Sequence, residues 1–309
     1  MATPTPFFNI VGKTVAITGA TGGIGSAIAS RFLHEGARLL LIGRDQFKLD
    51  MELSKQRDKA KTLKSAPSRA ETAKIQHPDR HATYLLRSLT DVDEWKRITR
   101  DVHHEIDVLV NCAGMSQASL LPRTREPDIN HLIGTNLTGA IIATKAVVSQ
   151  MLRRKNKKRT TVNEFTGGVV VNVASLLGQL GTPGTSVYAA TKAGLVGFTK
   201  SLATEFAPHI RVNAVLPGFV DTNMTAYLQN QAHPQIDPES KTTPVKSNLL
   251  DSIPMQRLGL PEEVADAVYF LVRNQYANGC LLNLDGGLGS LVATATTMGS
   301  TSNSGAGLE

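Results

Sequence analysis

The chain has 309 residues, 41% of them hydrophobic, which is enough for one large α/β domain and too apolar for global disorder. Lysine and arginine outnumber aspartate and glutamate by 33 to 26, and the net charge of +7 favours anionic small molecules or an acidic protein partner. Two cysteines, Cys112 and Cys280, are too few for a disulfide framework and lack metal-ligand spacing, and no apolar run approaches the roughly 20 residues that span a bilayer.

The first apolar run, KTVAIT (13–18), leads into the turn GATGGIG and then a helical pattern from near Ile24. Strand, glycine turn and helix in that order are the setting for pyrophosphate binding. Missing Cβ atoms at Gly19, Gly23 and Gly25 permit a tight turn and close backbone approach, and the helix N-terminus offers N–H groups. Thr21 and Ile24 join these glycines as candidate cofactor contacts. The second strand, RLLLI (38–42), ends in Gly43 and Arg44, where a site for a ribose 2′-hydroxyl would carry a carboxylate. Arg44 suits a 2′-phosphate, so NADP(H) is the expected dinucleotide, with Asp45 a sugar acceptor if the strand ends later.

Residues 45–80 are charged, poor in strand signals and broken at Pro67 and Pro78, and they read as an addition to the plan. ATYLL (82–86) and DVLVN (107–111) follow as strands, then a helix over roughly 128–152 and the basic run RRKNKKRT (153–160), part of an insertion near 153–165. Next come the strand GVVVNV (168–173), a helix over 187–206 and the strand RVNAVL (211–216). A polar, proline-containing segment at 226–250 is a candidate flap; CLLNL (280–284) is the last strand, and 291–309 is expected to be a flexible tail. Apolar strands separated by crossover-length segments predict an α/β fold. It is a Rossmann-type doubly wound parallel sheet of about seven strands with helices on both faces, in one domain over 1–290.

On the 187–206 helix, Tyr188 and Lys192 stand four apart and share a face, and Ser175 ends the strand 13 residues before Tyr188. A phenol beside an ammonium is either a tuned acid or two polar residues on a helix surface, and the spacing alone leaves both open.

Seven motifs in order now stand together: TGATGGIG (18–25), NCAG (111–114), NLTG (136–139), VNVAS (171–175), YAATK (188–192), PGFVDT (217–222) and LDGG (284–287). From Lys13 to about Gly287 the chain resembles the short-chain dehydrogenase/reductase family, most of all its 3-oxoacyl-[acyl-carrier-protein] reductases and related carbonyl reductases. The resemblance implies an NADPH-dependent ketoreductase acting on a 3-oxoacyl thioester or similar ketone. It implies a catalytic set in which Tyr188 gives the alkoxide its proton, Lys192 and the positive ring of the oxidised cofactor depress the Tyr188 pKa and Ser175 holds the carbonyl oxygen; it adds Asn136, supporting a water relay, and gives Lys192 the nicotinamide ribose. It places Asn111, Ala113 and Gly114 on the adenosine side and Pro217, Gly218, Val220 and Thr222 along the cofactor, Thr222 reading equally as a helix N-cap. Ser88 stands where the family usually has an aspartate near the adenine, unless Asp91 fills that place. Leu176, Gln179, Phe219 and Tyr227 are pocket-wall candidates. The basic residues from Arg153 to Arg159 would dock an acidic acyl carrier protein or form a solvated turn, and Thr204 stands where carrier-dependent relatives often have arginine. The resemblance also implies a homotetramer, built on the 128–152 and 187–206 helices. Rival readings are a carbonyl reductase of specialised or xenobiotic metabolism without a carrier, and a dinucleotide-binding scaffold. No nucleic-acid or membrane partner is expected, and the compartment is cytoplasmic or, alternatively, mitochondrial.

Overall fold

The computed structural model describes residues 7–63, 81–100, 105–157, 167–226 and 245–290. In chain order the elements are β1 (Thr14–Thr18), α1 (Gly23–His34), β2 (Arg38–Gly43), α2 (Gln46–Leu63), β3 (Ala82–Leu85), α3 (Val92–Arg100) and β4 (Val108–Asn111). They continue with α4 (Glu126–Ile133), a π-helical turn (Gly134–Thr138), α5 (Gly139–Lys157), β5 (Gly168–Val173), α6 (Ser186–Glu205), β6 (Ile210–Pro217), α7 (Val245–Ser252), α8 (Pro261–Arg273) and β7 (Leu281–Leu284).

The strands form one parallel sheet in the order β3-β2-β1-β4-β5-β6-β7. Strand order reverses between β1 and β4, where connections leave in opposite directions and a crevice opens at the carboxyl edge. Alternate residues of each strand serve two cores. Val15, Ile17, Leu39, Leu41, Val108, Val110, Val169 and Val171 face α1 and α8, with Phe32 and Tyr269 edge to face at 5.7 Å. Ala16, Leu40, Ile42, Leu109, Val170 and Val212 face α3, α5 and α6, around the fully buried Trp95. Both faces being covered explains why the strands read as continuous apolar runs.

Three expectations change. The first half of the charged 45–80 segment is α2, the crossover helix between β2 and β3 and thus part of the plan. Its inward face is half polar: Leu49 and Leu53 are buried, but so are Glu52 and Gln56, which accept hydrogen bonds from Ser26 Oγ (2.7 Å) and Ser30 Oγ (2.9 Å) of α1. The basic run begins inside α5, which continues to Lys157. The continuous helical stretch Glu126–Arg154 is long and apolar enough, by length and composition, to cross a membrane. Its apolar residues have a use here, because Leu132, Ala140, Ala143, Val147, Val148 and Met151 are buried in the molecule. Residues 245–250 of the flap candidate belong to α7. Tyr227, most of that flap, residues 64–80 and 158–166, and the 291–309 tail lie outside the described residues.

Candidate active site

Ser175 follows β5 and starts a short 3₁₀ turn (Leu176–Gly178), its Oγ accepting from Leu177 N at 3.1 Å. That turn presses against α6: a Cβ on Gly178 would lie 2.8 Å from the Lys192 carbonyl carbon, so only glycine permits the approach. The contact brings the end of β5 against the helix bearing Tyr188, close enough for the Ser175 hydroxyl to hold the Tyr188 pKa down against burial. Lys192 Nζ lies 5.7 Å from the Tyr188 ring centroid and donates to Val173 O at 2.8 Å. Asn136 sits in the π-helical turn, a feature frequent at functional sites. Its amide pairs both ways with the Met115 backbone, accepting from N at 2.8 Å and donating to O at 2.9 Å, and it donates to Thr191 Oγ1 at 3.3 Å. Asn136 Oδ1 and Lys192 Nζ both lie 3.6 Å from the point where a Gly114 Cβ would be. The four expected catalytic residues therefore converge on one edge of the sheet.

The electrostatics differ from the expectation in one respect. Burial raises the Tyr188 pKa above its ordinary value; the Ser175 hydrogen bond pulls it back in part, and Lys192 does not depress it in the free protein. Burial also takes the Lys192 ammonium down to about 8, with Cys112 opposing. Cys112 is itself pushed up to about 12 by burial, so its thiol stays neutral beside the lysine.

The nucleotide end fits a dinucleotide. No side chain caps α1 at Gly22, and the first helical N–H accepted by the preceding turn is that of Ser26, to Gly22 O at 2.8 Å. The N–H groups of Gly23, Ile24 and Gly25 thus form an open helix N-terminus beside the strand-order reversal. Buried Asn111 donates to Thr144 Oγ1 (3.0 Å) and Asn172 Oδ1 (2.9 Å), whereas its Oδ1 has no partner among the described residues. Thr18, Ala113 and Thr135 line a small cavity with it.

Two of the turn's glycines serve the protein's own packing. Gly19 has φ +67°, and a Cβ there would lie 2.7 Å from Ala113 Cα. A Cβ on Gly23 would lie 2.9 Å from Thr222 Cγ2, which places the Pro217–Thr222 segment against the turn. Thr21 is exposed within it. Thr222 N finds its partner within the segment, donating to Thr225 Oγ1 at 3.1 Å. Val220 is buried in the core, and Gly218 abuts Asp285.

At the ribose end, Arg44 is exposed, with Nη1 3.2 Å from His131 Nε2 of α4. Asp45 is spent on α2, accepting from Lys48 N at 3.1 Å, and Asp91 on α3, accepting from Asp93 N and Glu94 N at 3.0 Å. Both alternatives left open by the sequence are thus helix caps. Ser88 pairs with Thr90 at 2.8 Å. Among the pocket candidates, Leu176 is buried beside Gly289, Phe219 is half-buried, and Gln179 is exposed, accepting from Asn283 Nδ2 at 3.4 Å. A cavity of about 870 Å³ lies elsewhere, between α3 and α5, and contains none of the catalytic set. Gln117 and Thr191, which hold the Tyr188 backbone, carried no signal in the sequence beyond their polarity.

A model of the short chain dehydrogenase family matches residues 13–233. The chain is 36% identical over 283 residues to a 3-oxoacyl-[acyl-carrier-protein] reductase of Thermotoga maritima, covering 90% of this chain and 98% of that protein. It is 33% identical over 277 residues to carbonyl reductase family member 4 of Xenopus tropicalis, covering 89% and 98%. Among solved structures, actinorhodin polyketide ketoreductase with NADPH superposes with a TM-score of 0.73 at 29% identity, covering 90% of this chain and 97% of that one. With relatives matched over nearly their whole length and the sheet, glycine turn and hydroxyl–phenol–ammonium cleft in place, this chain belongs to the short-chain dehydrogenase/reductase family, oxidoreductases that bind a nicotinamide dinucleotide.

Proposed function

We propose that the chain is an NADPH-dependent ketoreductase that converts a 3-oxoacyl thioester or similar ketone to the secondary alcohol. The observation that carries this reading is the gathering of the Ser175 hydroxyl and the buried Lys192 ammonium around the Tyr188 phenol, at the same sheet edge as the open N-terminus of α1. Arg44, with no carboxylate free at the end of β2, supports NADP(H) over NAD(H).

When bound, the reduced nicotinamide supplies the hydride. Gly23, Ile24 and Gly25 would offer backbone N–H groups to the pyrophosphate, Arg44 would meet the 2′-phosphate, and Lys192 would hold ribose hydroxyls. Leu177 N fixes Ser175 Oγ, which leaves the serine proton free to donate to a substrate carbonyl oxygen. Tyr188 passes its phenolic proton to the same oxygen as negative charge develops there. Phenolate is then stabilised by the ammonium of Lys192, whose charged form is favoured once an anion forms beside it. The depression of the Tyr188 pKa thus belongs to the loaded site, since burial alone raises it in the free protein.

NADPH consumption with an acetoacetyl thioester and with bulky carrier-free ketones, side by side, tests the reading. Turnover of the thioester is expected; turnover of the ketones alone would favour carrier-independent carbonyl reduction. One observation supports that second reading: Arg154 of the basic run is committed to Asp107 at 3.0 Å and Glu105 at 3.6 Å, which reduces the charge left for an acidic carrier. Tyr188→Phe is expected to lower kcat by about 10²- to 10⁴-fold with NADPH affinity retained. A scaffold would be indifferent to that change.

A further inference from the structure

We propose that Gln117 is a positioning residue for Tyr188, acting as a helix cap supplied from another part of the chain. Helix α6 begins without a cap of its own. Thr185 stands at the N-cap position, but its hydroxyl is engaged with Thr182, donating to O at 2.8 Å and meeting Oγ1 at 2.8 Å. The N–H groups of the second and third helical residues, Val187 and Tyr188, are those that an N-cap side chain ordinarily satisfies. Both instead donate to Gln117 Oε1, at 2.9 and 3.0 Å, from residues 70 and 71 positions along the chain.

Gln117 is buried at 5% exposure, in the loop between β4 and α4. Its Nε2 donates to Ser119 O at 3.0 Å and Thr124 Oγ1 at 3.2 Å, and Thr124 in turn donates to Leu120 O at 3.1 Å. The orientation of the amide follows from its partners: Val187 N and Tyr188 N can only donate, and Ser119 O can only accept. A parallel tether joins the same loop to the approach of α6, Ser119 N donating to Gly184 O at 3.1 Å. At the other end of the Tyr188 peptide, Thr191 Oγ1 donates to Tyr188 O at 2.7 Å and accepts from Asn136 Nδ2.

The backbone of the proton donor is therefore held on both sides, by Gln117 at its N–H and by Thr191 at its carbonyl. Asn136 fixes Met115 two residues before Gln117, so the loop carrying the cap is anchored to the catalytic asparagine as well. The chemical requirement is specific. One acceptor reaches both amides and sets Tyr188, while the Nε2 donor ties the same group to its own loop; an aliphatic chain supplies neither. Gln117 touches neither substrate nor cofactor; it sets where the phenol stands.

This inference rests on Tyr188 as the proton donor. The test compares Gln117→Met, which keeps the bulk without acceptors, with Gln117→Glu, which keeps an acceptor for both amides at a helix N-terminus that favours negative charge. Expected for Gln117→Met is a fall in kcat of about 10- to 100-fold, the scale of a misplacement of about 1 Å, with ketone KM and NADPH affinity within about three-fold. Gln117→Glu is expected to recover kcat to within about five-fold of the parent, since the two N–H bonds return. Unchanged kcat in Gln117→Met, no recovery in Gln117→Glu, or a joint loss of kcat, NADPH affinity and thermal midpoint would overturn it. If the parent reduces no ketone, the proposed function fails, and Gln117 is judged by nuclear magnetic resonance. In that case the ring signal of isotope-labelled Tyr188, identified by its loss in Tyr188→Phe, must move in Gln117→Met and return in Gln117→Glu. A ring signal that stays in place in Gln117→Met overturns the assignment on its own.

Discussion

Lys192 is buried to 4% exposure with its ammonium on a backbone carbonyl, an arrangement that is costly for a charged group. Its folded-state pKa, about 8, lies below the 10.5 of an ordinary lysine. Between those values the unfolded chain binds the proton that the folded chain has released, so stability contributed here rises with pH across roughly 8 to 10.5. Thermal midpoints of the parent and Lys192→Met, taken at pH 7.5 and 9.5, should show the parent gaining relative to the variant at the higher pH; an equal change in both would exclude this origin. At the other end of the cleft, Arg44 is exposed and meets His131, and it remains available to an incoming phosphate. Arg44→Glu is expected to weaken NADPH binding about 10- to 100-fold, the worth of about 1.5–3 kcal/mol for a charge-assisted hydrogen bond, with NADH binding unchanged or improved. Paired titrations of the two cofactors would check it. Residue identities at these positions were readable from motif spacing, but the pKa directions were not, because they depend on burial that no linear pattern reports.

Helix ends account for much of what the sequence concealed. Asp45 and Asp91 looked like candidate ligands for the nucleotide, and each proves to cap the helix that follows it. The cap of α6 comes from a loop that only the folded sheet brings near, so no window of sequence could contain both partners. Helix α2 was obscured for a different reason. Two of its inward positions are Glu52 and Gln56, bound to serines of α1, and a reading built on apolar periodicity registers such a face as solvated. Arg211 of β6 shows the same effect at a C-terminus. Buried at 4% exposure, it donates through Nη1 to Leu271 O and Ala277 O, both at 2.8 Å, and through Nη2 to Val272 O, closing the end of α8. Arg211→Met should destabilise the fold by about 2–4 kcal/mol, because it strands buried carbonyls as well as removing charge-assisted bonds; denaturant midpoints measure it.

The seven-strand sheet was legible throughout because strands covered on both faces are mostly apolar runs, and strand boundaries fall within two residues of the runs read from sequence. Assembly is the larger-scale question that the single chain raises. Ala190, Ala193 and Gly197 leave an exposed strip of small residues on α6, and a Cβ on Gly197 would meet nothing within 4 Å. We propose a homotetramer that uses this face with α5. Light scattering should then give about four times the 33.1 kDa chain mass, and Gly197→Glu should lower the assembly size without unfolding the subunit, for which the position has room.

The contacts of Gly19 with Ala113 and of Gly23 with Thr222 bear on how this protein can be re-engineered. They bind three distant stretches of the chain into a single mechanical unit, so none can be exchanged with a homologue's alone. A chimera whose crossover separates the first glycine turn from its two partners would inherit mismatched surfaces at the heart of the molecule. Shuffled libraries should therefore yield soluble members mainly when all three stretches come from the same parent.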